Sequence, residues 1–273
     1  MNSPMPPDAV DVPPEHALLV VDMKGYSKIP EAKMAPVRAD LDDILATVLA
    51  QSGLDLPAEG SDACKDTGDG VILVFPAHAL PRLVDPLLGL LNAALVRYER
   101  ERLASAPAIL LRASVHTGPL SLPDHRGDAI NEACRLVNSQ AVRQAMFAAA
   151  DTGTFLAAVL SEIVYRRTVC AGRTPNLSPR HFLQATAHVS DKPDFGEPCR
   201  VHVPGMPGQA IHTYIADAAA LHSPAEAPEA AQAPSREGTA PVGNGPSFQF
   251  LGAVYEPTIA GSINTVRNER RQR

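Results

Sequence analysis

Three short stretches carry residue types that handle phosphate, divalent cations and hydroxyl protons. Asp22 ends an apolar run in Val20-Val21-Asp22-Met23-Lys24-Gly25-Tyr26. A carboxylate there must be solvated, paired or metal-bound, because an uncompensated buried charge is costly. Lys65-Asp66-Thr67-Gly68-Asp69-Gly70 leads into a second apolar run, Val71 to Phe75. Gly68 and Gly70 permit a tight bend that carries Asp69 to the mouth of a sheet. Taken singly, Asp22 reads as a strand-end residue facing water, and Gly-Asp-Gly as ordinary turn chemistry. Together, two strand-edge carboxylates suit a hard divalent cation bound through oxygen. The third stretch runs from Leu111 to Leu136 as strand, glycine-bearing turn and helix. Its Asn131 and Arg135 are four apart and share one helix face. They are either a solvated polar pair or groups placed where sheet edge and helix meet.

Positioning these residues requires strands that end near one another. Apolar runs and turn residues predict strands over 16–23, 70–75, 109–116 and 154–160. Helical patterns cover 31–51, with Pro36 near its start, 79–103, broken at Pro81 and Pro86, then 128–138 and 162–168. A closing hairpin is expected between 201–203 and 210–215, around Gly205 and Gly208. Residues 171–198 are polar and irregular. Strands separated by helices imply an α/β or α+β sheet domain.

Composition narrows the function classes. The 273 residues carry 24 Lys and Arg against 30 Asp and Glu. The resulting net charge of -6 offers no general basic face for nucleic acid. A 45% hydrophobic fraction fills a core, and with only 4% aromatics small aliphatic side chains must do the packing. No apolar run approaches the roughly 18–20 residues of a membrane span. The N-terminal residues lack the basic-then-apolar pattern of a signal peptide, so a cytoplasmic location is expected. Cys64, Cys134, Cys170 and Cys199 form no C-x-x-C pair and read as reduced thiols.

Proline marks the boundaries. Residues 1–15 read as a disordered leader and 16–217 as the folded domain. Residues 218–246, rich in Pro and Ala and without an aromatic, read as a linker. The final 247–273 read as a short motif with a basic end, of which 247–266 could add to a partner protein's sheet edge.

In order and spacing these segments resemble the class III nucleotidyl cyclase family, the adenylate/guanylate cyclase catalytic domain, over roughly residues 16–217. The stretch Val20 to Tyr26 resembles the family's first metal motif, F-x-D-I-x-G-[FY]. Lys65 to Asp69 resembles K-x-x-G-D. Gly127-Asp128-Ala129-Ile130-Asn131 resembles G-[ND]-x-[VI]-N, and Asn131 with Arg135 matches N-x-x-x-R. Asp124 stands seven residues before Asn131, where the family carries a base-reading Asp or Thr.

The resemblance implies an α+β fold with a ferredoxin-like βαββαβ core, its sheet flanked by helices. It implies an enzyme, a phosphorus-oxygen lyase of the adenylate cyclase kind. The substrate would be a nucleoside triphosphate, the products a 3',5'-cyclic nucleotide and pyrophosphate. Asp22, the Met23 carbonyl and Asp69 would hold two divalent cations, Mg or Mn. Lys65 and Asp124 would read the base, which favours ATP, while Asn131 and Arg135 would be catalytic. Each site would combine residues of two copies in a homodimer. Pro204 stands where the family often has a triphosphate lysine, with Arg200 and His202 as nearby substitutes. A pyrimidine nucleotide cyclase is an alternative within the class. An inert nucleotide-binding module signalling through the tail is an alternative outside it.

Overall fold

The computed structural model describes residues 11–58 and 61–215. The linker over 218–246 and the motif over 247–273 lie outside the described residues, as does most of the leader. In chain order the elements are β1 (Glu15–Met23), α1 (Glu31–Gln51), β2 (Cys64–Asp66), β3 (Gly70–Pro76), α2 (Leu80–Val84), α3 (Leu87–Glu101), β4 (Leu111–Pro119), α4 (Asp128–Asn138), α5 (Gln140–Asp151), β5 (Leu156–Ser161), α6 (Glu162–Thr168), β6 (Leu183–Val189), β7 (Lys192–His202) and α7 (Gly208–Ile211).

The unbroken apolar run of β1 requires cover on both faces. It has that cover: Ala17 to Val21 are all buried. β1 lies inside a seven-stranded sheet of order β2-β3-β1-β4-β5-β7-β6. The first four strands pair antiparallel throughout, in the order β2-β3-β1-β4. With α1 after β1 and α2 and α3 before β4, that is a ferredoxin-like βαββαβ core. β5 then joins parallel to β4, and β7 with β6 extends the sheet antiparallel. The fold is α+β, a mixed open sheet flanked by helices.

Two apolar layers hold the helices in place. Leu19, Val21, Met23, Leu73 and Phe75 pack with α1 and α3 residues such as Leu41, Leu45, Leu88 and Leu91. On the opposite face Leu18, Val20, Ile72 and Val74 meet Ala129, Ala133 and Val137 of α4. Ala157 and Val159 of β5 meet the alanine-rich α5 beside it. Gly118 lets α4 come this close, since a Cβ there would sit 2.8 Å from the Ala129 Cβ.

The expected closing hairpin between 201–203 and 210–215 is not what forms. The late hairpin is β6 with β7, turning between Val189 and Lys192. Residues 208–211 are a short helix instead. Thus the stretch 171–198 holds β6 and much of β7. Among the described residues, no single helix is long and apolar enough to cross a membrane.

Candidate active site

Asp22 is the last residue but one of β1, opposite Gly70 of β3 and Arg112 of β4. Asp69 immediately precedes Gly70, so strand register alone brings the two carboxylate-bearing residues together. The Met23 N–H donates to the Asp69 carbonyl (2.8 Å) and locks that register. Gly70 cannot be replaced without moving a strand, because a Cβ would meet the Val21 carbonyl oxygen at 1.9 Å. The turn itself uses Gly68 in the left-handed region, φ 86°. Its N–H donates to Asp66 Oδ1 (2.7 Å), which lowers the Asp66 carboxyl below its ordinary value. Arg38 of α1 clamps the turn from below, donating to Gly70 O (3.2 Å) and Asp66 Oδ1 (3.3 Å).

Arg112 is a site residue that sequence reasoning missed. Its Nε donates to Asp22 Oδ1 (2.9 Å), and its Nη2 donates to the same oxygen. Burial pushes the Asp22 carboxyl above the usual carboxylate value. The Arg112 guanidinium opposes that rise, the Asp69 charge adds to it, and Arg143 of α5 opposes it more mildly. Only the cross-strand pairing identifies Arg112, since it lies 90 residues from Asp22.

Two carboxylates and a backbone carbonyl fit a magnesium-type site, which uses few protein oxygens and completes its shell with phosphates and water. The Met23 side chain is buried in the core, leaving only its carbonyl for such a role. Among the described residues no group of three or more His, Cys, Asp or Glu side chains is arranged to hold a metal by itself.

Lys65 stands opposite Ile72 on β2, on the sheet face that α4 covers. Its Nζ donates to the backbone carbonyls of Asp124 (3.1 Å) and His125 (3.3 Å). The structure therefore brings together positions 65 and 124, though the Asp124 carboxylate itself turns to Arg126 (3.2 Å). Asn131 and Arg135 sit on α4, whose Ala129, Ala133 and Val137 face the sheet. The pair consequently occupies the helix side turned away from the sheet. Asn131 is exposed, and the Arg135 guanidinium lies over the Phe195 ring at 5.4 Å. Neither residue contacts Asp22 or Asp69 within the described chain.

The substitutes expected near Pro204 are already engaged. Arg200 donates to both carboxylate oxygens of Glu162 (2.9 and 3.3 Å) and lies over Tyr165. His202 is buried, bonds to the His181 carbonyl (2.9 Å) and has its pKa pushed down to about 4 by burial. Two other cations lie on this side of the site, and Arg143 acts electrostatically on Asp22. Lys24 follows β1 with its Nζ over the Phe147 ring of α5 (4.8 Å), and Arg143 lies one turn earlier on that helix.

No protein-family model matches the chain, and no curated protein matches it. Among solved structures it is similar to an adenylate/guanylate cyclase/hydrolase from Silicibacter pomeroyi, at 21% identity and a TM-score of 0.47, over 70% of this chain and 98% of that one. It is also similar to the non-canonical dimeric guanylyl cyclase domain of the RhoGC fusion protein from the aquatic fungus Blastocladiella emersonii, at 12% identity and a TM-score of 0.43, over 71% and 98%. A bacterial light-regulated adenylyl cyclase is similar at 17% identity and a TM-score of 0.43, over 74% and 98%. Each is a likeness of fold.

Proposed function

We propose that this chain is a nucleotidyl cyclase that converts a nucleoside triphosphate, ATP by preference, to its 3',5'-cyclic nucleotide and pyrophosphate. One observation carries the reading. The carboxylates of one strand-end pair lie together, while Asn131 and Arg135 point outward from the same chain. A site that needs both sets is completed by a second copy, whose outward α4 face meets the first copy's Asp22 and Asp69. Two equivalent sites in a C2 homodimer follow.

Divalent cations bound by Asp22, Asp69 and the Met23 carbonyl would acidify the ribose 3'-hydroxyl and screen the triphosphate. Arg112 holds the Asp22 carboxylate in place and offsets part of the penalty that burial puts on its charge. Arg135 of the second copy supplies positive charge where it grows on the α-phosphate. Asn131 orients the ribose for in-line attack of the 3'-oxygen, and pyrophosphate leaves. Lys65 donates to the unprotonated N1 of adenine, and Asp124 accepts from the 6-amino group. Guanine offers the opposite pattern at both atoms.

A specific observation favours a second reading. With Arg200 held by Glu162 and His202 neutral in the core, neither replaces the lysine missing at Pro204. A nucleotide-binding module without turnover would need no such group. Mixing Asp69→Ala chains with Arg135→Ala chains separates the two. A mixed dimer gathers both lesions in one site and leaves the other intact. Recovered activity is expected; none, with subunit exchange demonstrated, contradicts the shared site.

A further inference from the structure

A cavity of about 370 Å³ lies between α4 and β7, toward the end of β4 away from Arg112. His116, Glu132, Ser161, Phe195 and Glu197 line it. His116 is 6% exposed and Ser161 8%. Neither His116 Nδ1 nor Ser161 Oγ has a hydrogen-bond partner among the described residues. His116 Nε2 comes within 2.9 Å of Glu132 Oε2 but lacks the alignment of a hydrogen bond. Burial pushes the imidazole pKa down to about 4, so the ring is neutral at pH 7 and its proximity to Glu132 is no ion pair. Buried polar groups left without partners are rare in folded proteins and call for an explanation.

The charge around this cavity is one-sided. Glu162 is neutralised by Arg200 and Glu15 by Arg167. Glu132 and Glu197 meet no lysine or arginine among the described residues. Phe195 and Leu136 supply apolar wall. A bare metal ion does not suit this lining, since no three ligating side chains gather there. A carbon skeleton bearing a positive, donor-rich group does, and the volume is in the range of small-molecule sites.

We propose that this cavity binds a small organic cation, an alkyl ammonium or guanidinium. Its charge lies between Glu132 and Glu197, and its N–H groups donate to Ser161 Oγ and His116 Nδ1. The cavity borders the proposed catalytic face, since its Phe195 wall also carries the Arg135 guanidinium, but the proposal does not rest on the cyclase reading and its test uses neither nucleotide nor turnover.

Agmatine, with a guanidinium at one end and an ammonium at the other, is the probe, and uncharged N-butylurea is its control. Calorimetric titration of the full chain should find one agmatine per chain and no butylurea binding. Glu132→Gln with Glu197→Gln should weaken agmatine at least tenfold, and Ser161→Ala should weaken it severalfold. Thermal melting of each variant establishes that it is folded, and Ser161→Ala decides the matter if the double variant is not. No agmatine binding at millimolar concentration, equal binding of butylurea, or unchanged affinity in the folded variants overturns the proposal.

Discussion

Removing the Arg112 guanidinium should destabilise the protein mainly through the carboxylate left behind. The Arg112 and Asp22 side chains are only 12% and 14% exposed, and two guanidinium N–H groups converge on one oxygen of Asp22. Deleting one partner of a buried pair costs about 3–5 kcal/mol, and the remaining solvent contact here places the expectation for Arg112→Gln at about 3 kcal/mol near pH 7.5. The pH dependence follows from the direction of the Asp22 shift. Its folded pKa is already raised by burial, so between that value and the ordinary carboxylate range the folded chain binds more protons than the unfolded one. The ionised carboxylate therefore costs stability at neutral pH, and the cost fades as pH falls through the folded pKa. Arg112→Gln raises that pKa further and moves the window upward. Urea denaturation at pH 7.5 and pH 5, in the wild-type and Asp22→Asn backgrounds, measures the effect. The loss should shrink at pH 5, and in the Asp22→Asn background it should fall to about 1 kcal/mol, the worth of an ordinary hydrogen bond. An equal loss at both pH values and in both backgrounds would refute the charge-based account, leaving packing as the role of Arg112.

Asp69→Ala should reduce cyclisation below detection while leaving the melting temperature nearly unchanged, and retained metal-dependent turnover would contradict the two-carboxylate site. Asp22→Ala should be equally inactive, but with a measurable loss of stability because Arg112 keeps no partner. Lys65→Glu combined with Asp124→Ser should move preference from ATP toward GTP. Each mismatched buried group costs about 1–3 kcal/mol, so wild-type discrimination between the two purines should be roughly tenfold to thousandfold in kcat/KM. Since Lys65 also ties β2 to the Asp124 and His125 carbonyls, this variant's melting curve is measured beside its kinetics.

How far the sequence disclosed this arrangement depended on local contrast. The helices 31–51, 128–138 and 162–168 stand where the pattern placed them, as does the strand beginning near His16. The run Ala17 to Val21 is apolar without interruption and admits few readings. The α5 helix is not evident in the sequence although Val142, Ala145, Met146 and Ala149 recur at helical spacing, because five of its twelve residues are alanine and few large apolar side chains mark that face. β7 hides its alternation of Phe195, Cys199 and Val201 among Pro193, Gly196 and Pro198. β6 fully buries only Ala187, and its Gln184, Thr186 and His188 read as loop. In the candidate site, Asp22, Asp69, Asn131 and Arg135 were visible as motif residues. Arg112 and Arg143 were not, because their relation to Asp22 exists only once strand register and the placement of α5 are known.

Turnover to a cyclic nucleotide is tested most directly by identifying the product. The full chain is incubated separately with ATP, GTP, CTP and UTP in Mg²⁺ or Mn²⁺, and products are identified by mass. The expected products are 3',5'-cyclic AMP and pyrophosphate, with kcat/KM highest for ATP. A pyrimidine triphosphate as best substrate would contradict the roles of Lys65 and Asp124. No cyclic product from any of the four would contradict the enzyme assignment itself.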